Sequence, residues 1–504
     1  MTNQVSAGGK TQSNVLTIVV MFFLFAMISF VTNLAAPLGL IWQNQYDWAG
    51  MMGNLMNFAA YLFMGIPAGL LLGRIGYKKT ALWALALGFI GIGIQYLSSV
   101  VGADTHIGGI TLNFVIYLLG AFIGGFCVCM LNTVVNPMLN MLGGGGKKGN
   151  QLLQTGGSLN SLAGTLTPML VGMLIGTVTK KTSMSDVTPL LFIAMGVFAL
   201  SFLIIAFVKI PEPGLVQKGI KKVKEKYSAW SFRHTVLGII AIFFYVGIEV
   251  GIPGELIYYV SDNTSKGAGI LINGAAIGTA LASIYWLCML IGRFGGGAIS
   301  GKVSSRTQLI TVSGVAIIFV VIAICLPKTS GFDLPKFVYN PVEKTENTLL
   351  EAGMPKAEVE QFVQTKDITL IQPYSEQLME NAEMTPEMMP DSLKTPKVPY
   401  SLVLLILCGL CTSIMWGGIF NLAVEGLGKY TAQASGMFMM MVVGGGVMPF
   451  IQNWIAGASG YMVSYWLIVA MLAYLLFYAV IGSRNVNTDI PTSLELDKDV
   501  PLNQ

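Results

Sequence analysis

Charge is what this 504-residue sequence has least of. Only 11% of its residues are Asp, Glu, Lys or Arg, while 54% are apolar. A soluble chain of this length carries about twice that charge, so a soluble fold is excluded. Histidine is nearly absent: His106 and His234 are the two present, and both fall outside or at the ends of the apolar runs. That removes a histidine proton relay and a histidine metal site. All six cysteines lie within or at the edges of apolar runs. Cys408-x-x-Cys411 has a redox or zinc spacing but no second pair, and it reads as packing. There is no Walker A loop. The glycine-rich Gly143–Lys148 stretch follows no strand and reads as a hinge between spans. No cofactor, no metal and no enzymatic activity are expected. The net charge of +4 does not point to nucleic acid, because the basic residues sit between apolar runs. A cleavable signal peptide is not expected either, since about fourteen polar residues lead directly into a full-length span.

What is present is membrane sequence. Several windows exceed the ~18 uninterrupted apolar residues that mark a spanning helix. Twelve spans are expected, at 15–43, 49–73, 80–101, 110–142, 150–177, 188–208, 235–260, 268–300, 307–326, 399–424, 431–456 and 461–482. Two stretches repeat one spacing: Gly69-x-x-x-Gly73-Arg74-Ile75-x-x-Lys78 and Gly297-x-x-x-Gly301-Lys302-Val303-x-x-Arg306. Each joins two spans through a short basic loop, so the chain reads as two copies of one membrane unit. A duplicated helical bundle with a cleft between its halves is the usual build of a secondary transporter.

Lys and Arg concentrate in alternate loops, above all in 209–234, whereas the short loops on the other side hold Lys180, Lys181 and Lys266. The positive-inside rule then places both termini in the cytoplasm. The expected domains are a tail at 1–14, a six-helix bundle at 15–208, a basic linker at 209–234, a second bundle at 235–482 and a tail at 483–504. The linker reads as an amphipathic helix on the inner leaflet or as a solvated tether. An insertion at 327–398 carries 12 of the 25 acidic residues against seven lysines, a net charge of about −5. It could form a cap over the outer mouth, a partner site or a tolerated surface insertion.

Few ionisable residues remain inside the spans. Glu249 is the deepest, Glu255 lies six residues on, and Glu425 sits near the inner end of span 10. A carboxylate at the bilayer centre costs roughly 2.5–3.5 kcal/mol on insertion scales, so Glu249 should face a cavity. It could accept hydrogen bonds from a substrate or carry a coupling proton. In span 5, Gly157, Asn160, Ser161 and Gly164 share one helical face. Asn33, Asn54, Asn57, Asn132, Asn136 and Asn421 add amides, and Trp416 adds an aromatic platform. The expected binding set is Asn33, Asn57, Asn132, Asn136, Asn160, Glu249, Trp416 and Asn421. Neutral amides suit a polyhydroxylated neutral ligand. They suit a strongly anionic one poorly, since no Arg or Lys is expected to be buried mid-span. Gly69, Gly73, Arg74, Lys78, Arg293, Gly301, Lys302 and Arg306 are expected at cytoplasmic ends, in gating roles.

The duplicated basic loop resembles the signature of the major facilitator superfamily, and further runs resemble its fucose permease branch, which includes glucose/galactose permeases. Asn136-Pro137 with Met141-Leu142-Gly143, the run Leu153–Ala163 and Tyr245-Val246-Gly247-Ile248-Glu249 are similar to patterns of that branch. So are Ile291-Gly292-Arg293-Phe294, Ser413-Ile414-Met415-Trp416 and Gly444-Gly445-Gly446. The resemblance covers nearly all the spans but not the acidic insertion. It implies a monomeric all-α bundle of twelve helices in a bacterial cytoplasmic membrane, moving a neutral sugar by alternating access. It also marks departures. Ala36, Asn132 and Gly157 stand where the branch carries an Asp, a Glu and a Gln. The N-terminal carboxylates tied to protons are therefore missing. Either Glu249 has taken their role, or the protein is a uniporter or uses another ion. A drug or metabolite exporter of the same superfamily and a non-transporting membrane sensor remain open as alternatives.

Overall fold

The computed structural model describes residues 8–142, 146–175, 182–210, 227–264, 266–272, 274–299, 303–334, 336, 339–382, 384–427, 430–487 and 489–492. Residues 211–226 of the linker, Lys180, Lys181, Gly301, Lys302 and residues 493–504 lie outside them.

The first half is built from α1 (Gly8–Gln45), α2 (Met52–Val100), α3 (Leu112–Leu142), α4 (Gly146–Ile175) and α5 (Thr188–Phe207). Helix α1 begins at Gly8, inside the stretch expected to be a polar tail. Helix α2 contains two spans, Met52–Leu72 and Arg74–Val100, and it is kinked at Gly76. Gly76 has φ +85°, a left-handed conformation that a residue with a Cβ adopts only under strain. The first basic loop is thus a kink within one helical run. Beside it, Lys78 Nζ donates to the carbonyls of Ala206 and Val208 at 2.8 and 2.9 Å. It satisfies orphan acceptors at the end of α5, where a cation is also favoured by the helix dipole.

The second half comprises α6 (Arg233–Ser261), α7 (Gly274–Ile299) and α8 (Ser305–Cys325), four short helices α9 (Pro341–Glu351), α10 (Lys356–Thr365), α11 (Ser375–Ala382) and α12 (Met389–Ser392), then α13 (Tyr400–Thr412), α14 (Met415–Ala423), α15 (Thr431–Met441), α16 (Gly444–Ser459) and α17 (Tyr461–Phe477). Expected spans 10 and 11 are each broken in two, at Ser413–Ile414 and at Val442–Val443. The second break lets α16 lie directly on α6: a Cβ at Gly444 would collide with the Phe243 carbonyl. Broken helices at membrane depth are tolerated where protein or a cavity surrounds them.

Eleven helices among the described residues are long and apolar enough to cross a membrane. Helix α4 also runs for 30 residues, and it supplies the twelfth span of the fold. Its Gln, Thr, Ser and Asn side chains dilute its apolarity because one face is turned inward, towards α1 and α7. Large apolar side chains such as Phe63, Trp83, Phe207 and Trp454 are exposed around the bundle, as a lipid-facing surface requires.

The two ends of the bundle differ. One carries β1 (His106–Ile107) paired with β2 (Ile110–Thr111), together with the acidic insertion; the other carries the start of α1 and the end of α17. The insertion is a folded cap. Its strands β3 (Gly331–Asp333) and β4 (Lys397–Pro399) pair antiparallel, with Phe332 opposite Val398. Leu349, Val359, Phe362, Ile371, Leu378 and Met389 bury a small core against Ile272, and Tyr339 Oη donates to the Ile272 carbonyl at 3.0 Å. The cap is therefore docked on the loop that precedes α7. Phe362 is fully buried in that core. Phe362→Ala should cost the cap about 3–5 kcal/mol, and limited proteolysis should then cleave between β3 and β4 while the membrane helices stay intact.

Candidate substrate cavity

A cavity of about 630 Å³ lies between the two halves, within the size range of small-molecule sites. Asn33, Asn132, Asn136 and Asn160 line it from the first half, and Glu249, Trp416 and Asn421 from the second. Asn57 does not line it. It is buried against α3, with its backbone carbonyl packed on Gly125, so its role is helix packing.

The amides are held in place by their own NH2 groups. Asn33 Nδ2 donates to the Ser29 carbonyl at 2.9 Å and to Ser29 Oγ at 3.1 Å. Asn132 Nδ2 donates to Tyr61 Oη at 2.8 Å, and Asn160 Nδ2 to the Phe25 carbonyl at 3.0 Å. Asn136 Nδ2 donates to the Asn132 carbonyl at 2.9 Å. Each amide keeps carbonyl lone pairs to which a ligand hydroxyl can donate, Asn132 Oδ1 while also accepting from Asn136 Nδ2 at 3.4 Å. Phe25, Phe58, Trp286, Trp416 and Phe420 form the apolar part of the wall. Such flat rings suit the C–H faces of a polyol.

The main departure from the sequence reading is Arg293. It was expected at a cytoplasmic end, and no basic residue was expected to be buried within a span. Instead its side chain is 10% exposed and lines the cavity, with Nη2 at 3.2 Å from Oε1 of Glu249, itself 14% exposed. Arg293 Nη1 also reaches across to the first half, donating to Ser161 Oγ at 2.8 Å and to the Gly157 carbonyl. One guanidinium thus joins α7 to α6 by an ion pair and to α4 by hydrogen bonds. The physical reason is pairing: a charge buried in the membrane persists only when compensated, and Glu249 is the deep partner of opposite sign. That rule applied to the sequence would have paired them, because Arg293 lies in the apolar run of α7 with no acid on its own helix. Ser29, Thr32 and Tyr61 also line the cavity beside Ser413, and isolated hydroxyls in apolar runs carry no distinctive spacing that would mark them.

The other described residues expected to gate lie away from the cavity. Gly69 and Gly73 are on α2, Arg74 is exposed, and Lys78 caps α5. Arg306 lies partly exposed in the first turn of α8, which Ser304 caps by accepting from the Thr307 amide at 3.2 Å. Glu425 is exposed and offers only its backbone carbonyl, to His234 Nε2 at 2.9 Å.

The halves also meet at the cap end. Tyr258 Oη donates to the Gly50 carbonyl at 2.6 Å, and Asn54 Nδ2 to the Gly445 carbonyl at 2.7 Å. Towards the opposite end, the wall runs down to Asn421, which is exposed. The halves are thus joined by side-chain hydrogen bonds on the cap side of the cavity.

The family model of the Major Facilitator Superfamily matches residues 18–337. The chain is 26% identical over 474 residues to a glucose/galactose transporter of Brucella abortus, covering 93% of this chain and 94% of that one. It is 24% identical over 485 residues to a putative glucose/galactose transporter of Helicobacter pylori, covering 92% and 95%. Among solved structures, the E. coli fucose:proton symporter superposes with a TM-score of 0.61 at 18% identity, over 94% of this chain and all of that one. A D-xylose-proton symporter gives 0.58 at 12% identity, over 93% and 98%. With two helical halves around a shared cavity and a family match over most of its length, the chain belongs to the major facilitator superfamily.

Proposed function

We propose that the protein carries a neutral sugar across a bacterial cytoplasmic membrane, as a monomer with both termini inside. The observation that carries this reading is the composition of the cavity wall: amide carbonyls and aromatic faces from both halves, around one ion pair whose charges cancel. A buried arginine alone would favour an anion. Paired with Glu249, it leaves the site neutral overall, which suits hydroxyl groups. The relatives named as glucose/galactose transporters support the same substrate class.

In this mechanism the two six-helix halves rock about the cavity. Tyr258–Gly50 and Asn54–Gly445 hold the cap side shut, and Arg293 ties α7 to α4 deeper in the bundle. Sugar hydroxyls donate to the carbonyls of Asn33, Asn132 and Asn160 and to Glu249. Glu249 acts here as a hydroxyl acceptor and as the anchor of Arg293, because the guanidinium already compensates its charge.

Counterflow of labelled D-glucose or D-galactose in proteoliposomes tests transport directly. A protein that binds sugar without counterflow would be a sensor, and one that moves only hydrophobic drugs would be an exporter. Asn160→Ala should weaken sugar binding about tenfold, equivalent to ~1.4 kcal/mol; unchanged counterflow half-saturation would remove Asn160 from the site. Arg293→Met should lower stability by about 3–5 kcal/mol, because it strands a buried carboxylate. The double change Glu249→Gln with Arg293→Met should regain most of that stability in thermal unfolding without regaining transport.

A further inference from the structure

A second polar cluster lies outside the cavity, between α6, α16 and α17 on the cap side of Glu249. Glu255 has no exposed surface, and its carboxyl oxygens make no well-formed hydrogen bond, the Asn453 amide being the group within reach of them. Gln452 on α16 is equally buried, and its Oε1 and Nε2 are unpartnered too. Both belong to the α6–α16 contact. A Cβ built on Gly251 would sit 2.6 Å from Gln452 Oε1, and Gly251 is one helical turn before Glu255 on the same face. Asn453, also buried, stands beside the Glu255 carboxyl.

Among the described residues, no cation compensates this carboxyl. The titratable groups facing it are Tyr258 on its own helix and Tyr461 and Tyr465 on α17; α16 offers only its amides. Tyr285 on α7 and Cys408 on α13 lie behind Tyr465. Arg293 is engaged by Glu249 and the α4 groups, and Lys266 at the cap end donates to the Gly457 carbonyl at 3.2 Å. An isolated buried carboxylate is among the costliest groups a protein can hold, so an exchangeable cation belongs here. The orphan atoms identify which one. A carboxyl that has taken up a proton has one donor and one free acceptor, and a primary amide has the same pair in reverse. With the two side chains turned towards each other, the Glu255 hydroxyl donates to Gln452 Oε1 and Gln452 Nε2 donates to the other carboxyl oxygen. All four orphan atoms are then satisfied. A sodium ion would bind the oxygens and leave Nε2 without an acceptor.

The position links this site to the moving parts. Tyr258 lies three residues after Glu255 on the same face of α6, and its hydroxyl makes the contact with Gly50 that closes the cap side. In the rocking motion proposed above, that contact breaks when the cap side opens. We propose that Glu255, paired with Gln452, is the proton-binding site that couples transport to the proton gradient, loading from the cap side when that side opens and holding its proton while it is shut. This rests on the sugar-transport reading above. In the step itself, the carboxylate takes one proton from water, and the same proton leaves when the site is wetted again.

The test uses the full chain in proteoliposomes with labelled D-glucose. Wild-type protein should show several-fold faster uptake with the cap side acidic, and no acceleration by a sodium gradient at equal pH. Glu255→Gln, which resembles the protonated acid, should keep counterflow within about twofold of wild type and lose the acceleration. Acceleration surviving in Glu255→Gln, sodium dependence in the wild type, or no gradient dependence would each overturn the proposal. Loss of wild-type glucose counterflow would instead count against the sugar reading. A substrate-free measurement then decides the proton site: pH-jump infrared difference spectra should show a protonated carboxyl band that Glu249→Gln retains and Glu255→Gln lacks. A band that persists in Glu255→Gln would refute the assignment.

Discussion

The pairing of Glu249 with Arg293 is the constraint around which the interior is arranged. Lipid and packed protein offer little to a bare charge, so each member fixes the position of the other. Glu249 comes from the middle of α6. Arg293 reaches it from α7 and, with its remaining donors, takes hold of Gly157 and Ser161 on α4. Two helices of the second half and one of the first are thereby referred to a single point. The cavity forms around that point and stays neutral despite containing two formal charges.

Backbone hydrogen bonding is the second constraint. Membrane interiors satisfy it only within helices, yet this bundle breaks two spans beside the cavity, at Ser413–Ile414 and Val442–Val443. Both breaks lie where neighbouring helices cover the chain. The glycines that follow the second one bring α16 against α6 with no side chain between them. That close approach brings the α16 segment bearing Gln452 and Asn453 against α6, so the break before α16 and the second polar cluster share one cause. Helix α4 is the complementary case. It is polar for a spanning helix because its inward face carries the groups that meet α1 and α7.

Much of this was legible in the sequence, through physics that acts locally. Long apolar runs give spanning helices, and positively charged loops alternate with them. The repeated Gly-x-x-x-Gly spacing with its basic residues marks duplication, and the resemblance to the fucose permease branch rests on short runs read in place. The face of α4 bearing Gly157, Asn160, Ser161 and Gly164 followed from helical periodicity alone. Most of the amides expected to bind do line the cavity, because a buried amide in a membrane helix needs either a partner helix or a ligand. Asn57 found a partner helix. Nothing in its local sequence distinguishes that outcome from the other.

What the sequence determined by itself is the membrane-spanning, duplicated, helical character of the chain, since hydrophobic length and periodicity are properties of each segment. The tertiary structure alone decided which charges are compensated. Arg293 reads as a loop-end residue until α6 stands beside it. Glu249 reads as the uncompensated acid, while Glu255, six residues away, is the one left without a cation. Compensation depends on distances between residues far apart in the chain, which no local pattern encodes.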